Sequence, residues 1–351
     1  MAPAPPDFAP DPADKPLLAV LKGERRDPVP LWLMRQAGRY LPEYRQLRAT
    51  KGGFLDMAYD PDAAAEITLQ PLGRFAFDGA ILFSDILVVP HAMGMDLTFV
   101  AGEGPRLAPP LSEGRIRDLK PAIERLDPIY QTVRRVKAKL SPQTTFLGFA
   151  GSPWTVATYM IAGQGTSDQA PARMFAYQQP QAFGRLVERL VENSVAYLTK
   201  QFENGVDAVQ LFDTWAGVLP PDEFKRWCIE PAARIVQELR RKVPDARVIG
   251  FPRGAGHLLA DYVDRVPVNA VSVDWMADRK FIRERIQTRV AVQGNLDPLA
   301  LLAGGEALDC AVDAILQDFR DGRFIFNLGH GILPATPIPH VERMLKRVRG
   351  E

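Results

Sequence analysis

Four arginines crowd one short stretch, PLWLMRQAGRYLPEYRQLR over residues 30–48: Arg35, Arg39, Arg45 and Arg48. A guanidinium fork grips both oxygens of a carboxylate and stays charged at any relevant pH. Arg35 and Arg39 leave an apolar run, VPLWLM (29–34). In apolar surroundings such groups need an anionic partner. Arg45 and Arg48 read more simply as a solvated basic face. Gly38 permits a sharp turn between the first two arginines. Asp85 closes a second apolar run, GAILFSD (79–85), and His330 stands in FIFNLGHG (324–331). A carboxylate at such a point can face a developing cation or cap the next helix. The residues alone leave both open. The pattern fits a pocket for a small ligand that carries carboxylates.

These side chains need a frame. Eight short apolar runs alternate with longer segments of helical period. They are VPLWLM (29–34), GAILFSD (79–85), TTFLGFAG (144–151), AVQLFDTW (208–215), RVIGFPRG (247–254), AVSVDW (270–275), VAVQGNLD (290–297) and FIFNLGHG (324–331). Most lack polar alternation, as strands buried on both faces do in a parallel sheet. Helical patterns lie between them at 182–203, 221–242, 276–287, 305–320 and 337–348, with apolar residues three, four or seven apart. Eight βα units predict an α/β fold, a single (β/α)8 barrel of the TIM type with parallel strands. A doubly wound dinucleotide fold lacks support, since no GxGxxG follows the first run. Arg35, Asp85, Asp213, Thr214, Arg253, Asp274, Asn295, Asp297 and His330 fall at or just past run C-termini. In a barrel those ends form one rim, where active sites are built.

Composition narrows the partners. The chain has 351 residues and a formal net charge of +1. Duplex nucleic-acid binders carry a strong basic excess, so none is expected here. The two cysteines, Cys228 and Cys310, are expected as buried thiols in helices, not as a disulfide or zinc framework. No run of about 18 apolar residues predicts a membrane span. The Pro-, Ala- and Asp-rich start lacks the features of a signal peptide. Residues 1–13 are expected as a disordered lead-in and 14–351 as the catalytic barrel. A soluble, cytoplasmic protein is expected.

The stretch WLMRQAGRYLPEYR resembles the first signature of the uroporphyrinogen decarboxylase family, and GFAGSPWTVATYM (148–160) resembles the second. FSDILVVPHAMGM (83–95), FDTWAG (212–217), VDW (273–275), QGNLDP (293–298) and NLGHGI (327–332) are similar to further blocks in the same order. The resemblance runs from about residue 14 to the end. It implies a homodimeric (β/α)8 barrel that uses no metal or prosthetic group. It also implies decarboxylation of the four acetate side chains of uroporphyrinogen III, giving coproporphyrinogen III. Arg35 and Arg39 would hold substrate carboxylates, and Asp85 would reach the pyrrole N–H groups. Tyr159, Thr214 and His330 would line the cleft, with Phe149 and Phe212 as apolar walls. Thr214 stands where other members often have serine. The loop GQGTSDQAP (163–171) is less glycine-rich and more acidic than the family pattern, which leaves its part in closure open.

The residue types suit that chemistry. A pyrrole protonated at carbon serves as its own electron sink, so no cofactor is called for. The site then needs anion clamps, a proton donor, and a negative charge against the ring cation. Arg35, Tyr159, His330 or a bound water could give the proton, although a guanidinium is a poor acid near neutrality. Two rivals are a barrel methyltransferase and a non-catalytic tetrapyrrole carrier. The first needs a His-x-Cys zinc pair, but Arg226 and Leu308 precede the two cysteines at that spacing.

Overall fold

The computed structural model describes residues 14–100, 103–120 and 123–351. The expected lead-in over 1–13 lies outside the described residues. Seven parallel strands form one sheet: β1 (Gly79–Ile81), β4 (Thr145–Gly151), β5 (Ala208–Asp213), β6 (Val248–Pro252), β7 (Ala270–Ser272), β8 (Ala291–Leu296) and β9 (Phe324–Leu328). They pair in that spatial order, so neighbours in the sheet follow one another along the chain. Helices fill the connections, as parallel pairing requires. The strands are buried almost throughout, which explains their unbroken apolar character.

The first run behaves differently from the regular strand expected over 29–34. It makes a single parallel bridge, Leu31 to Phe326 of β9. Beside it, the Phe326 amide donates to Pro30 O at 2.8 Å. On the other side the Asp78 amide donates to Leu31 O at 2.9 Å, just ahead of β1. Side chains replace the missing ladder. Asp78 accepts from the Leu31 amide at 2.7 Å, Asn327 from the Met34 amide at 3.0 Å, and Gln36 donates to Gly79 O at 3.0 Å. The segment thus spans the gap between β9 and β1 as the first of eight positions around the barrel.

A polar layer fixes this segment from inside. The Trp32 indole N–H donates to Gln293 at 2.8 Å, and Gln293 donates to Gln210 at 2.9 Å and to Ser272 at 3.2 Å. All are buried. The layer ties the first segment to β5, β7 and β8. Gly79 completes the fit, because a Cβ there would lie 3.1 Å from the Trp32 side chain.

The helices follow their sequence patterns. Pro180–Asn204 buries Leu186, Leu190, Val191 and Leu198, and Gly205 ends it with a left-handed φ of 119°. The 221–242 pattern forms one helical run with a wide turn at Lys225–Ile229. A hairpin, β2 (Asp96–Val100) with β3 (Gly104–Ala108), is an addition that the alternating rhythm did not predict. Cys228 is buried as expected, but Cys310 is exposed. It lies on the solvent side of the helix Gly305–Phe319, whose buried face is Leu308, Val312, Ile315 and Phe319. Among the described residues no helix is long and apolar enough to cross a membrane.

The interior layer gives a direct test. Trp32→Phe keeps the ring but strands the Gln293 oxygen in a buried site. A buried acceptor left unpaired costs about 1–3 kcal/mol. The expected outcome is an unfolding free energy, measured in urea, lowered by that amount with an unchanged far-ultraviolet spectrum.

Candidate active site

The C-terminal ends of β1 and β4–β9 point to one rim, and Arg35 emerges there from the first segment. Its backbone adopts a left-handed φ of 61°, a conformation unfavourable for a side chain with a Cβ. Bonds on both sides hold it there: the Met34 amide to Asn327, the Ile332 amide to Met34 O at 2.9 Å, and the Gln36 amide to Leu33 O at 3.0 Å. The Arg35 stem then packs against Gly331, where a Cβ would come within 2.4 Å of Arg35 Cδ. Arg39 sits beyond the next turn. Both arginines are exposed, contrary to the apolar surroundings expected, and neither enters an ion pair among the described residues. The close approach at Gly38 is to Arg35 O, 3.2 Å from a Cβ built there. Arg45 clasps this turn by donating to Arg39 O at 2.7 Å and Tyr40 O at 3.1 Å. Its part is therefore structural.

Asp85 follows β1 and is half-buried. One carboxylate oxygen accepts from the Leu87 amide at 2.8 Å, which fastens its own turn. The other makes no hydrogen bond to the described residues. Burial pushes the carboxyl above its ordinary range; the Leu87 amide and the Arg35 charge oppose that. Tyr159 lies on the helix Pro153–Ala162, which starts directly after β4. Burial raises its phenol, with a further push from Asp85. The Trp215 indole N–H and Arg35 pull the other way, although the indole makes no well-aligned hydrogen bond to the phenol. The charges of Asp85 and Arg35 thus both reach Tyr159.

An aromatic arc walls the mouth. Phe149 meets Phe212 edge-on at 5.5 Å, Phe212 meets Phe251 at 6.1 Å, and Phe251 meets His330 at 6.1 Å. Thr214 lies half-buried beyond the end of β5. The arc links four strand ends and runs from Phe149 through Phe212 and Phe251 to His330.

Comparison with known proteins decides the family. The model of the family described as uroporphyrinogen decarboxylase (URO-D) matches residues 12–350. A protein from Rhizorhabdus wittichii named uroporphyrinogen decarboxylase is 62% identical over 336 residues, covering 96% of this chain and 98% of that one. One of the same name from Sphingopyxis alaskensis is 60% identical over the same shares. The chain belongs to the uroporphyrinogen decarboxylase family. A solved methyltransferase from Methanosarcina mazei has a TM-score of 0.79 over 96% of this chain and 98% of that one. Its identity is 20%, so the likeness is one of fold.

Several rim residues of this decarboxylase-family barrel serve the loops and not the cleft. Asp213 is buried, accepts from the Thr155 hydroxyl at 2.6 Å, and has its carboxyl pushed up to about 6 by burial. Asp274 accepts from the Gly254 and Met276 amides at 2.7 and 2.9 Å. Asn295 donates to Asp274 O at 3.2 Å, and Asp297 caps the helix Pro298–Ala303. Loop 163–171 is tied to the hairpin: Leu107 donates to Gly163 O at 2.8 Å and Gln164 bridges Arg106. Gly165 of that loop lies against the Tyr159 ring. Trp215, beside Tyr159, was not singled out from the sequence, although FDTWAG carried it past a strand end. Among the described residues no cluster of three or more His, Cys, Asp or Glu could hold a metal ion.

His330 is the most perturbed group of the rim. Burial lowers its pKa from 6.5 to about 3, and the Arg35 and Arg253 charges add to the fall. Its Nδ1 is buried with no partner among the described residues. Between pH 6.5 and about 3 the unfolded chain therefore binds a proton there that the folded protein refuses. Stability falls as pH drops through that window. His330→Gln is expected to flatten this part of the stability–pH curve, and side-chain nuclear magnetic resonance should show no His330 titration between pH 8 and 5. A midpoint near 6.5 would refute the neutral assignment.

Proposed function

We propose that the protein is a carboxy-lyase that converts the four acetate side chains of uroporphyrinogen III into methyls, giving coproporphyrinogen III. The observation that carries this reading is the division of charge at the mouth. Two exposed arginines, Arg35 and Arg39, have no acidic partner among the described residues, and the charge of Arg35 reaches the half-buried Asp85, which keeps one oxygen free at the same rim as the Phe149–Phe212 pair. Family membership supports the substrate, and the arrangement supplies each part the chemistry needs.

Protonating the ring carbon next to the acetate-bearing carbon makes a cationic, iminium-like pyrrole. Loss of CO2 collapses that cation to an exocyclic methylene, which takes a proton to become methyl, and the ring carbon then gives up its added proton to restore the pyrrole. Arg35 and Arg39 hold substrate carboxylates. The free oxygen of Asp85 accepts pyrrole N–H groups and stabilises the cation. A carboxylate about 4 Å from a unit cation contributes roughly 4 kcal/mol at an effective dielectric of 20. Phe149 and Phe212 shield the ring from water. Thr214 supplies a hydroxyl, and neutral His330 and Tyr159 supply hydrogen bonds. Neither of those two is a strong acid in this setting, which favours a water held by one of them as the source of the proton. No metal or organic cofactor enters the scheme. We further propose that residues 14–351 form one catalytic domain and that the protein works as a homodimer in the cytoplasm.

Asp85→Asn keeps the Leu87 contact, since an asparagine oxygen caps nearly as well. It removes the charge that faces the cation. Steady-state kinetics should show kcat lowered about a few hundredfold, with little change in KM or melting temperature, the scale for losing one placed electrostatic stabiliser. An Asn variant with wild-type kcat would sink the assignment.

The reduced macrocycle is flexible enough for its N–H groups to converge on one carboxylate, and its separate pyrroles can be protonated without breaking macrocyclic aromaticity. CO2 should therefore be released from uroporphyrinogen but not from the oxidised porphyrin, and exhaustive chelation should leave that release intact. Turnover of the oxidised ring, or activity lost with a stoichiometric metal, would overturn the scheme.

A further inference from the structure

Arg253 follows β6, the fifth position around the barrel, directly across the mouth from Arg35 at the first. Its backbone is fixed on both sides. The amide donates to Asp213 O at 3.1 Å, and the carbonyl accepts from the Gly217 amide at 3.0 Å. The guanidinium lies 5.0 Å from the centre of the Trp275 ring, which sets its direction. The residue is half-buried, and its Nε is buried with no partner among the described residues. It enters no ion pair there either. Neither carboxylate of the neighbouring strand ends pairs with it: Asp274 is taken up by the Gly254 and Met276 amides, and Asp213 turns one oxygen to the Thr155 hydroxyl and keeps the other buried without a partner among the described residues. Many arginines elsewhere on this protein find carboxylates, as Arg343 does with Asp309 and Arg347 with Asp313. A rigidly placed guanidinium left without one at a cleft is suited to an anion from outside. Its charge is also felt at His330, a residue of the same rim.

We infer that Arg253 is a substrate-binding residue that holds a propionate carboxylate on the pyrrole across the macrocycle from the reacting ring. This rests on the reading of the cleft given above. Propionate is the side chain that suits a fixed clamp. Each pyrrole of the substrate carries one, and none is lost in the reaction. Whichever ring reacts, the opposite ring still presents a propionate to Arg253. An acetate there would have become a methyl in later rounds. Arg35 and Arg39 then grip one edge of the ring system and Arg253 the other.

The test compares Arg253→Met and Arg253→Lys with the wild-type enzyme, using uroporphyrinogen III as substrate and coproporphyrinogen III as product inhibitor. Removing a charge-assisted, forked contact should raise KM about tenfold to a hundredfold while kcat stays within a few-fold. The product keeps its propionates, so its inhibition constant should rise by a similar factor. Arg253→Lys restores the charge without the fork and should recover part of both losses. If Arg253→Met melts early, Arg253→Lys still reads the proposal through a smaller joint rise. Unchanged KM in both variants, or a raised KM with unaltered product inhibition, would overturn it. Asp85→Asn in the same assay separates the two readings: normal turnover there defeats the assignment of the cleft, whereas the Arg253 variants report on this subsite alone.

Discussion

The left-handed backbone at Arg35 is the constraint on which the site depends. Such a conformation costs about 1–2 kcal/mol for a residue with a Cβ. It persists because the surroundings over-determine it. Asn327 and Gln36 accept from the Met34 and Leu33 amides before it, and Gly331 leaves room for its stem. These contacts exist only because the first barrel segment is not an ordinary strand. A regular ladder would consume the same amides and carry the chain straight outward. Here side chains of Asp78, Gln36 and Asn327 do the pairing, and the chain bends to deliver a guanidinium over the mouth. The buried Trp32–Gln293–Gln210 layer holds the segment from below. Barrel geometry and site geometry are thus set by one set of side-chain bonds.

Much of the fold was legible in the sequence, and the reason is physical. Strands buried on both faces are nearly pure Val, Ile, Leu and Phe, so runs such as 144–151 and 324–331 announce themselves. The long helix Pro180–Asn204 carries a clear 3.6-residue stripe. The first run was read as a strand for the same reason and proved to be an irregular segment, because its hydrogen-bond partners are distant side chains. Apolar composition reports burial, not ladder pairing. The hairpin β2–β3 escaped because it adds to the alternation instead of interrupting it. Cys310 escaped because one residue's place on a helix depends on where the stripe's edge falls.

The candidate site was legible in part. Arg35, Arg39, Asp85, Tyr159 and His330 lie around one rim, with the two phenylalanines in a single arc. The carboxylates at the other strand ends look the same in sequence yet do other work. Asp213, Asp274 and Asp297 hold hydroxyls and amides of the loops. Asp85 does both, fastening its own turn with one oxygen and leaving the other free. Asp213 also keeps one oxygen unpartnered, but it is closed off from solvent where Asp85 is half-buried, so exposure as well as hydrogen bonding separates these cases. The neutrality of His330 was likewise invisible, since it arises from burial and from two arginines far apart in the chain.

The unpaired arginines of the mouth have a kinetic meaning beyond grip. A mouth whose positive charges outnumber its one carboxylate, set among aromatic rings of low polarity, focuses its field outward and hastens the arrival of a polyanion. The same field treats successive intermediates unequally. Each decarboxylation releases neutral CO2 and takes up a proton, so the bound molecule loses one negative charge and the attraction weakens step by step while the propionate handles remain. The octa-anion enters fast and stays, and the tetra-anion is held least. On the proposed chemistry the reaction discharges its own cargo, and processivity and release follow from one gradient of charge without a moving part.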